Sequence, residues 1–190
     1  VRHVTDHVRA KVVEHNGEVF MSLHGDNRTV IKVIKYDTFQ KTSEIFFKFP
    51  MKSAYVPFLS VSDHLIASPD KENQRIRLYD RQGSKTLNTM ILPEYHRFIN
   101  LRLLTDDALL VTGWDKSYGN MLNKYRFDGY RLHLIWSSEE VPDVPVGIAV
   151  DDRGRIYVSG VLNKTIYVLS DEGEIVVIFI SIHSWSSHVF

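Results

Sequence analysis

Short apolar segments recur along the chain at a nearly constant interval. Apolar triplets at residues 19–21, 65–67, 109–111 and 156–158 begin 46, 44 and 47 residues apart. Each triplet follows one apolar run and precedes two more, and the runs are rich in β-branched and aromatic residues, which favour strands. No segment combines a helical period with helix caps. The pattern therefore predicts four units of four strands each.

A turn motif repeats with the same rhythm. Asp37, Asp80, Asp128 and Asp171 lie 43, 48 and 43 residues apart, and three of them have a glycine within three residues. Asp and Gly between two apolar runs are typical of hairpin turns, because Gly adopts positive φ and Asp caps the turn. We expect these turns between the third and fourth strand of each unit, all on one side of the molecule.

Four short strands in each unit of about 40–50 residues are the signature of a β-propeller blade. We therefore predict an all-β fold, a single propeller of four-stranded antiparallel blades spanning residues 9–52, 53–96, 97–142 and 143–182, with a tail at 183–190. A β-sandwich is the alternative. It would also give regular strands, but it would not explain why the apolar triplets and the Asp turns both repeat at the same interval.

The fourth unit carries the most informative motif. It reads PVGIAVDDRGRIYV from Pro145, with Asn163 and Gly173 further on. We expect Gly147 where the inner strand crowds the central channel, and a tight turn at residues 151–154. Alternation along the strands predicts packing against a neighbouring blade for Ile156, Val158, Ile166 and Val168.

This unit resembles the NHL repeat, the blade type of the propellers in tripartite-motif ubiquitin ligases. The other three units match the repeat in spacing and apolar pattern only. The resemblance implies a six-bladed ring, so we expect the chain to be part of a larger propeller whose missing blades come from the rest of the polypeptide. A closed ring of four blades is the alternative.

Composition narrows the function classes. The 190 residues include 23 Lys+Arg and 23 Asp+Glu, so the net charge is zero and gives no overall attraction to nucleic acid or anionic membranes. There is no cysteine, which excludes disulfides, thiol nucleophiles and zinc sites that use Cys. The longest apolar run, residues 175–180, is too short to cross a bilayer. With no visible leader, we expect a cytoplasmic protein that does not bind membranes.

Candidate enzyme chemistry is sparse. The nine histidines are scattered or lack a third ligand, so we interpret them as surface or hydrogen-bonded residues. Gluconolactonase-type propellers hold a divalent cation in the channel, for which Asp151 and Asn163 are candidates here. The predicted inner strands carry no clearly placed acidic residue, so we expect no catalytic activity, metal or cofactor, and keep this hydrolase as an alternative.

RNA binding, known for some NHL propellers, is a second alternative. The basic candidates, Lys71, Arg75, Arg77, Arg97 and Arg102, alternate with the acidic residues Asp70, Glu72 and Glu94. A solvated surface of mixed charge is the interpretation that this alternation favours.

The NHL resemblance implies a non-catalytic scaffold that binds a protein or peptide on one face. That face would carry the loops between second and third strands and the connections between blades. Trp114 and Tyr118 are the expected aromatic anchors, and packing between blades is the alternative for Trp114. The full set of expected contact residues is Asp26, Arg28, Tyr55, Lys71, Asn73, Arg97, Trp114, Tyr118, Asn163 and Lys164. In a tripartite-motif protein such a face would recruit substrates to the ligase.

Overall fold

Four antiparallel four-stranded sheets form the protein, arranged as the blades of a β-propeller. The computed structural model describes residues 10–24, 30–50, 59–70, 74–81, 86–91, 97–115, 119–138 and 143–180. The described residues contain no helix, and therefore none long and apolar enough to cross a membrane. The predicted all-β propeller of four-stranded blades is confirmed.

The strands follow the predicted apolar runs. The first blade contains β1 Ala10–His15, β2 Glu18–His24, β3 Val30–Asp37 and β4 Thr42–Pro50. The second contains β5 Ser60–Val61, β6 Leu65–Asp70, β7 Arg75–Asp80 and β8 Thr86–Ile91. The third contains β9 Arg97–Leu103, β10 Ala108–Asp115, β11 Gly119–Phe127 and β12 Leu132–Ser138. The fourth contains β13 Pro145–Val150, β14 Ile156–Gly160, β15 Thr165–Leu169 and β16 Ile175–Ile180.

Every blade is a simple meander, in which strands pair in chain order. The first strands of successive blades contact one another, β1 with β5, β5 with β9, and β9 with β13. Turns between first and second strands therefore share one face with turns between third and fourth strands; we call this the turn face. The opposite face, the loop face, carries the loops between second and third strands and the connections between blades. The four Asp turns lie on the turn face, as predicted.

Apolar clusters between the blades make up the core, because strand alternation gives each middle blade two apolar faces. In the second blade, Ile66 and Tyr79 pack toward the first blade, whereas Ala67 and Leu78 pack toward the third. The same alternation in the third blade sends Leu109 and Val111 to one side and Leu110 and Leu122 to the other.

The side chains of β15 that pack against the third blade differ from the prediction. Ile156 and Val158 are fully buried there, as expected, but their cross-strand partners on β15 are Leu169 and Tyr167. Ile166 and Val168 lie on the opposite face of the sheet, so the four residues do not all pack against the same blade. The length of the loop between β14 and β15 sets the register of β15, and so which of its alternating side chains face the third blade. The pattern of apolar residues alone does not fix that length.

Each fourth strand also contains one extra residue relative to its partner. The registers of the third and fourth strands shift at one point in every blade, leaving one residue of the fourth strand without a partner. These unpaired positions are Phe46, Leu87, Ile135 and Val176. The extra residue lies near the Asp turn, where a β-bulge increases the local twist of the strand.

Candidate interaction face

Three of the ten expected contact residues lie in the part of the chain whose side chains the structure describes: Trp114, Asn163 and Lys164. Asp26, Arg28, Tyr55, Lys71, Asn73 and Tyr118 lie outside the described residues. Arg97 begins β9, but its side chain is outside that description. The described part of the loop face is therefore centred on the third and fourth blades.

The loop between β14 and β15, residues 161–164, projects from the fourth blade on the loop face. Val161 and Leu162 are 56% and 69% exposed, and Asn163 and Lys164 are also exposed. Lys164 has a φ of 53°, a conformation that non-glycine residues seldom adopt. The loop thus presents two apolar side chains next to two polar ones.

A buried carboxylate fixes the backbone of this 161–164 loop. Asp143 has no exposed surface, and its Oδ1 accepts hydrogen bonds from the backbone N–H groups of Leu162 and Val144, both at 2.7 Å. Its Oδ2 accepts from the N–H of Asn163 at 2.8 Å. The N–H of Val161 donates to the carbonyl of Val144 at 3.2 Å. Hydrogen bonds to an ionised acceptor are among the stronger ones in proteins, so the loop conformation is held from inside.

Gly160 provides the space for that carboxylate. A methyl group at Gly160 would lie 2.6 Å from the Cβ of Asp143 and 2.5 Å from its Cγ. Cβ atoms in proteins essentially never come this close to other atoms. The backbone angle at Gly160 is not in the left-handed region, so glycine is needed for space. Neither residue stands out in the apolar or turn patterns of the sequence. The one available signal is the placement of Asp143 between Pro142 and Pro145, just before the inner strand.

Trp114 lies at the boundary between the third and fourth blades. On β10 it is in phase with Leu110, which packs against the fourth blade, so Trp114 points toward that blade from the loop end of its strand. It is 36% exposed. Opposite it on β11 is Asn120. Its side-chain oxygen and the hydroxyl of Thr112 are buried and have no hydrogen-bond partner among the residues that the structure describes. Trp114 is thus partly packed and partly available, and its role as a binding anchor stays a prediction.

The turn face, in contrast, holds charges that join neighbouring blades. Between the first two blades, Asp63 contacts His15 at 3.0 Å and accepts a hydrogen bond from Asn16 at 2.9 Å. Arg81 pairs with Glu18 at 2.8 Å. Contact with His15 lowers the pKa of Asp63. Partial burial raises the pKa of Glu18, but hydrogen bonds from Lys35 and Arg81 outweigh burial, so its pKa is lowered overall.

The remaining two blade boundaries use carboxylates in the same way. Asp106 accepts hydrogen bonds from the Ser62 hydroxyl at 2.7 Å and from the backbone N–H of His64 at 3.0 Å. Asp171 pairs with Lys124 at 2.6 Å, and its carbonyl accepts the indole N–H of Trp136 at 2.9 Å. These groups stabilise the contacts between blades.

The two residues proposed to share a cation are far apart. Asp151 lies in the turn before β14 and Asn163 in the loop after it, so they stand at opposite ends of a five-residue strand. At about 3.3 Å per residue the strand alone separates them by roughly 16 Å. The pairing of these residues as ligands is therefore wrong. Across the described ranges, no group of three or more His, Asp or Glu side chains could hold a metal ion.

Asp151 instead organises its own turn. It accepts hydrogen bonds from the backbone N–H of Arg153 at 3.0 Å and from the backbone N–H and guanidinium of Arg155 at 2.9 and 2.7 Å. Desolvation raises the pKa of Asp151, but these bonds and one from Tyr157 outweigh it and lower the pKa to about 2.

One candidate RNA contact is also occupied within the protein. Arg77 forms an ion pair with Asp70 at 2.6 Å, and Asp70 is buried. Paired with a buried carboxylate, Arg77 offers a nucleic-acid phosphate less net charge than the sequence suggested.

No model of a known protein family matches the chain, and no curated protein matches it in sequence. Solved structures do match. The WD40 β-propeller domain of Doa1 has a TM-score of 0.66 at 12% identity, over 90% of this chain and 53% of that one. A streptogramin B lyase structure has a TM-score of 0.62 at 16% identity, over 90% and 54%.

A third match is a Bacteroides caccae protein described as being of unknown function, with a TM-score of 0.52 at 14% identity, over 78% of this chain and 54% of that one. The chain thus spans about half the length of the solved structures that it matches. Because all three identities are low, the likeness shows the fold alone and carries no information about activity. By fold, this chain is a β-propeller of four-stranded blades.

Proposed function

We propose that the protein is a non-catalytic scaffold that binds a protein or peptide on its loop face, with the 161–164 loop and Trp114 at the centre of the contact. One observation carries the proposal. The two apolar side chains Val161 and Leu162 are exposed on a loop whose backbone is fixed by the fully buried Asp143.

A fixed loop suits recognition because binding then costs less conformational entropy. A flexible loop would lose backbone freedom when a partner docks, whereas this one has lost it on folding. Exposing the apolar side chain of Leu162 to water costs free energy. Burying it against an apolar side chain of the partner would recover that free energy. Asn163 and Lys164 would supply polar contacts at the rim.

The blade boundary beside the loop adds a polar contact. The side-chain oxygens of Asn120 and Thr112 are buried without hydrogen-bond partners in the described part of the chain. Buried polar atoms are usually satisfied. A hydrogen-bond donor from the partner, entering beside Trp114, would complete a bond that the described residues leave unmade. An extended peptide with an apolar side chain next to a donor fits this chemistry.

The finer part of the proposal rests on the NHL resemblance of the fourth blade. In that setting the loop face would recruit substrates for a ubiquitin ligase of the tripartite-motif type, and the other domains and blades would come from the rest of the polypeptide. The propeller itself would contribute recognition only.

Site-specific photocrosslinking tests the binding face. A photoreactive phenylalanine analogue replaces Leu162 on the loop face or, as the control, Tyr130, which is 85% exposed in an Asp turn on the turn face. Each protein is irradiated in an extract of cells that produce the chain. The proposal expects specific adducts from position 162 and none from position 130. Adducts from position 130 alone would refute the assignment of the face.

Once a crosslinked partner is identified, Trp114→Ala measures the aromatic contribution. An anchor of this kind is worth about 1–2 kcal/mol or more of binding free energy. We expect affinity for the partner to fall by that amount in isothermal titration calorimetry, with little change in the melting temperature. A large loss of stability with unchanged affinity would assign Trp114 to packing between blades.

A further inference from the structure

The outer strand of the fourth blade exposes a continuous run of apolar side chains. Five consecutive residues of β16, from Val176 to Ile180, are between 39% and 70% exposed. In the described part of the fourth sheet, β16 pairs only with β15, so its other edge offers free backbone N–H and C=O groups. We propose that this edge pairs with β16 of a second copy of the chain, joining two blades into one continuous sheet.

The other three blades show how such an edge is normally protected. Each fourth strand is the outer edge of its sheet, and three of the four contain polar or charged residues: Glu44 and Lys48 in β4, Asn88 and Thr89 in β8, and His133 and Ser137 in β12. β16 reads IVVIFI and contains none. Proteins protect free edges with charged residues, so an unprotected edge on one blade of four indicates that this edge is covered by a partner strand.

Self-pairing suits the sequence of β16 better than pairing with a charged strand. Past the unpaired Val176, the regular segment is residues 177–180. Opposed residues of an antiparallel pair share a face of the sheet, so a two-fold axis passes through a residue. An axis at Ile178 would place Ile178 opposite its own copy and Val177 opposite Phe179 of the second copy. Pairs of aromatic and β-branched residues stabilise antiparallel strands, and no like charges meet. Such an isologous contact closes after two copies.

A further blade would cover the face of the fourth sheet that carries Val177 and Phe179, whereas the pairing proposed here uses the backbone edge of β16. The free edge of β16 lies on the outer rim, on the far side of its sheet from the inner strand β13. One short strand from each copy buries less than the roughly 800 Å² per partner of a standard interface. We therefore expect a weak dimer, with a dissociation constant on the order of micromolar.

Sedimentation velocity on the whole chain tests the proposal, from about 1 to 200 μM so as to bracket that constant. Two variants place a lysine on outer strands at positions of nearly equal exposure: Phe179→Lys, at 56%, and the control Leu134→Lys on β12, at 54%. We expect the wild type and Leu134→Lys to dimerise with rising concentration, and Phe179→Lys to stay monomeric, at least tenfold weaker in self-association.

Amide hydrogen exchange on the wild type gives a second readout that needs no variant to fold. The outward N–H groups of β16 should exchange more slowly as the concentration rises. A wild type that is monomeric throughout would overturn the proposal. Dimers that survive Phe179→Lys in a folded protein would also overturn it. So would protection that rises with concentration everywhere except at the outward N–H groups of β16.

Discussion

Asp143 and Gly160 should behave as one unit in a double-mutant cycle. Asp143→Ala removes the acceptor of three backbone hydrogen bonds, and Gly160→Ala forces that acceptor out of its place. Hydrogen bonds to a charged group are worth about 1.5–3 kcal/mol each, but the exposed loop lets the released N–H groups reach water. We therefore expect each substitution to lower the free energy of unfolding by about 2–4 kcal/mol.

The decisive quantity is the coupling between the two. Once Asp143 is alanine, the methyl group at position 160 meets no carboxylate, so Gly160→Ala should then cost under about 1 kcal/mol, and the coupling energy should be about 2–3 kcal/mol. Urea unfolding with a shared m-value measures all four proteins. Additive effects of the two substitutions would refute the account of this loop.

A second glycine, Gly147, provides the control for added volume. A methyl group at Gly147 would approach the Ser159 hydroxyl at 2.6 Å, and that hydroxyl accepts the N–H of Gly147 at 2.9 Å. Contrary to the sequence-based expectation, the close neighbour of Gly147 is thus a side chain of the adjacent strand. A serine side chain can rotate away, so Gly147→Ala should cost only about 1 kcal/mol, the value of one neutral hydrogen bond.

Two further predictions concern the turn face. Gly129 and Gly173 both have positive φ, 94° and 89°, but a methyl group would meet open space at Gly129 and the Trp136 ring at 2.8 Å at Gly173. Gly129→Ala should therefore lower the free energy of unfolding by about 1–2 kcal/mol through backbone strain alone. Gly173→Ala should lower it by about 1–3 kcal/mol more, because the methyl group overpacks against Trp136. Urea unfolding measures both, and equal losses would contradict the contact between Gly173 and Trp136. The pKa of Asp151 is lowered from 3.8 to about 2, so its carboxylate contributes stability above pH 3.8 that is lost as the pH falls toward 2. Asp151→Asn should flatten the pH dependence of stability in that window, and a wild-type slope retained by the variant would be the contrary result.

The strands and turns could be predicted because each depends on neighbours in sequence. The apolar run at residues 175–180 coincides with β16, and the Asp turns marked where the third strands end. The side of the sheet on which a side chain lies, and the distance between residues far apart in sequence, could not be predicted in the same way. Whether Val168 or Leu169 faces the third blade depends on the register across the preceding loop, which a pattern of apolar residues does not encode.

The candidate site shows the same division. Asn163 and Lys164 could be identified as loop residues from the repeat alone. Asp143 could not, because its importance comes from three backbone groups that reach it only after β13 and β14 have paired. The assignment of Asp151 and Asn163 to one cation failed for a related reason: both flank β14, and only the direction of the strand shows that they lie on opposite faces of the propeller.

The central claim is that the exposed 161–164 loop is held in one conformation by Asp143, ready for a partner. Amide hydrogen exchange of Leu162 and Asn163, followed by NMR in the free protein, tests this most directly. We predict slow exchange of both N–H groups in the wild type, although both side chains are exposed, and exchange at least tenfold faster in Asp143→Ala while β14 and β15 stay protected. Rapid exchange of these two amides in the wild type, or exchange that Asp143→Ala leaves unchanged, would contradict the claim.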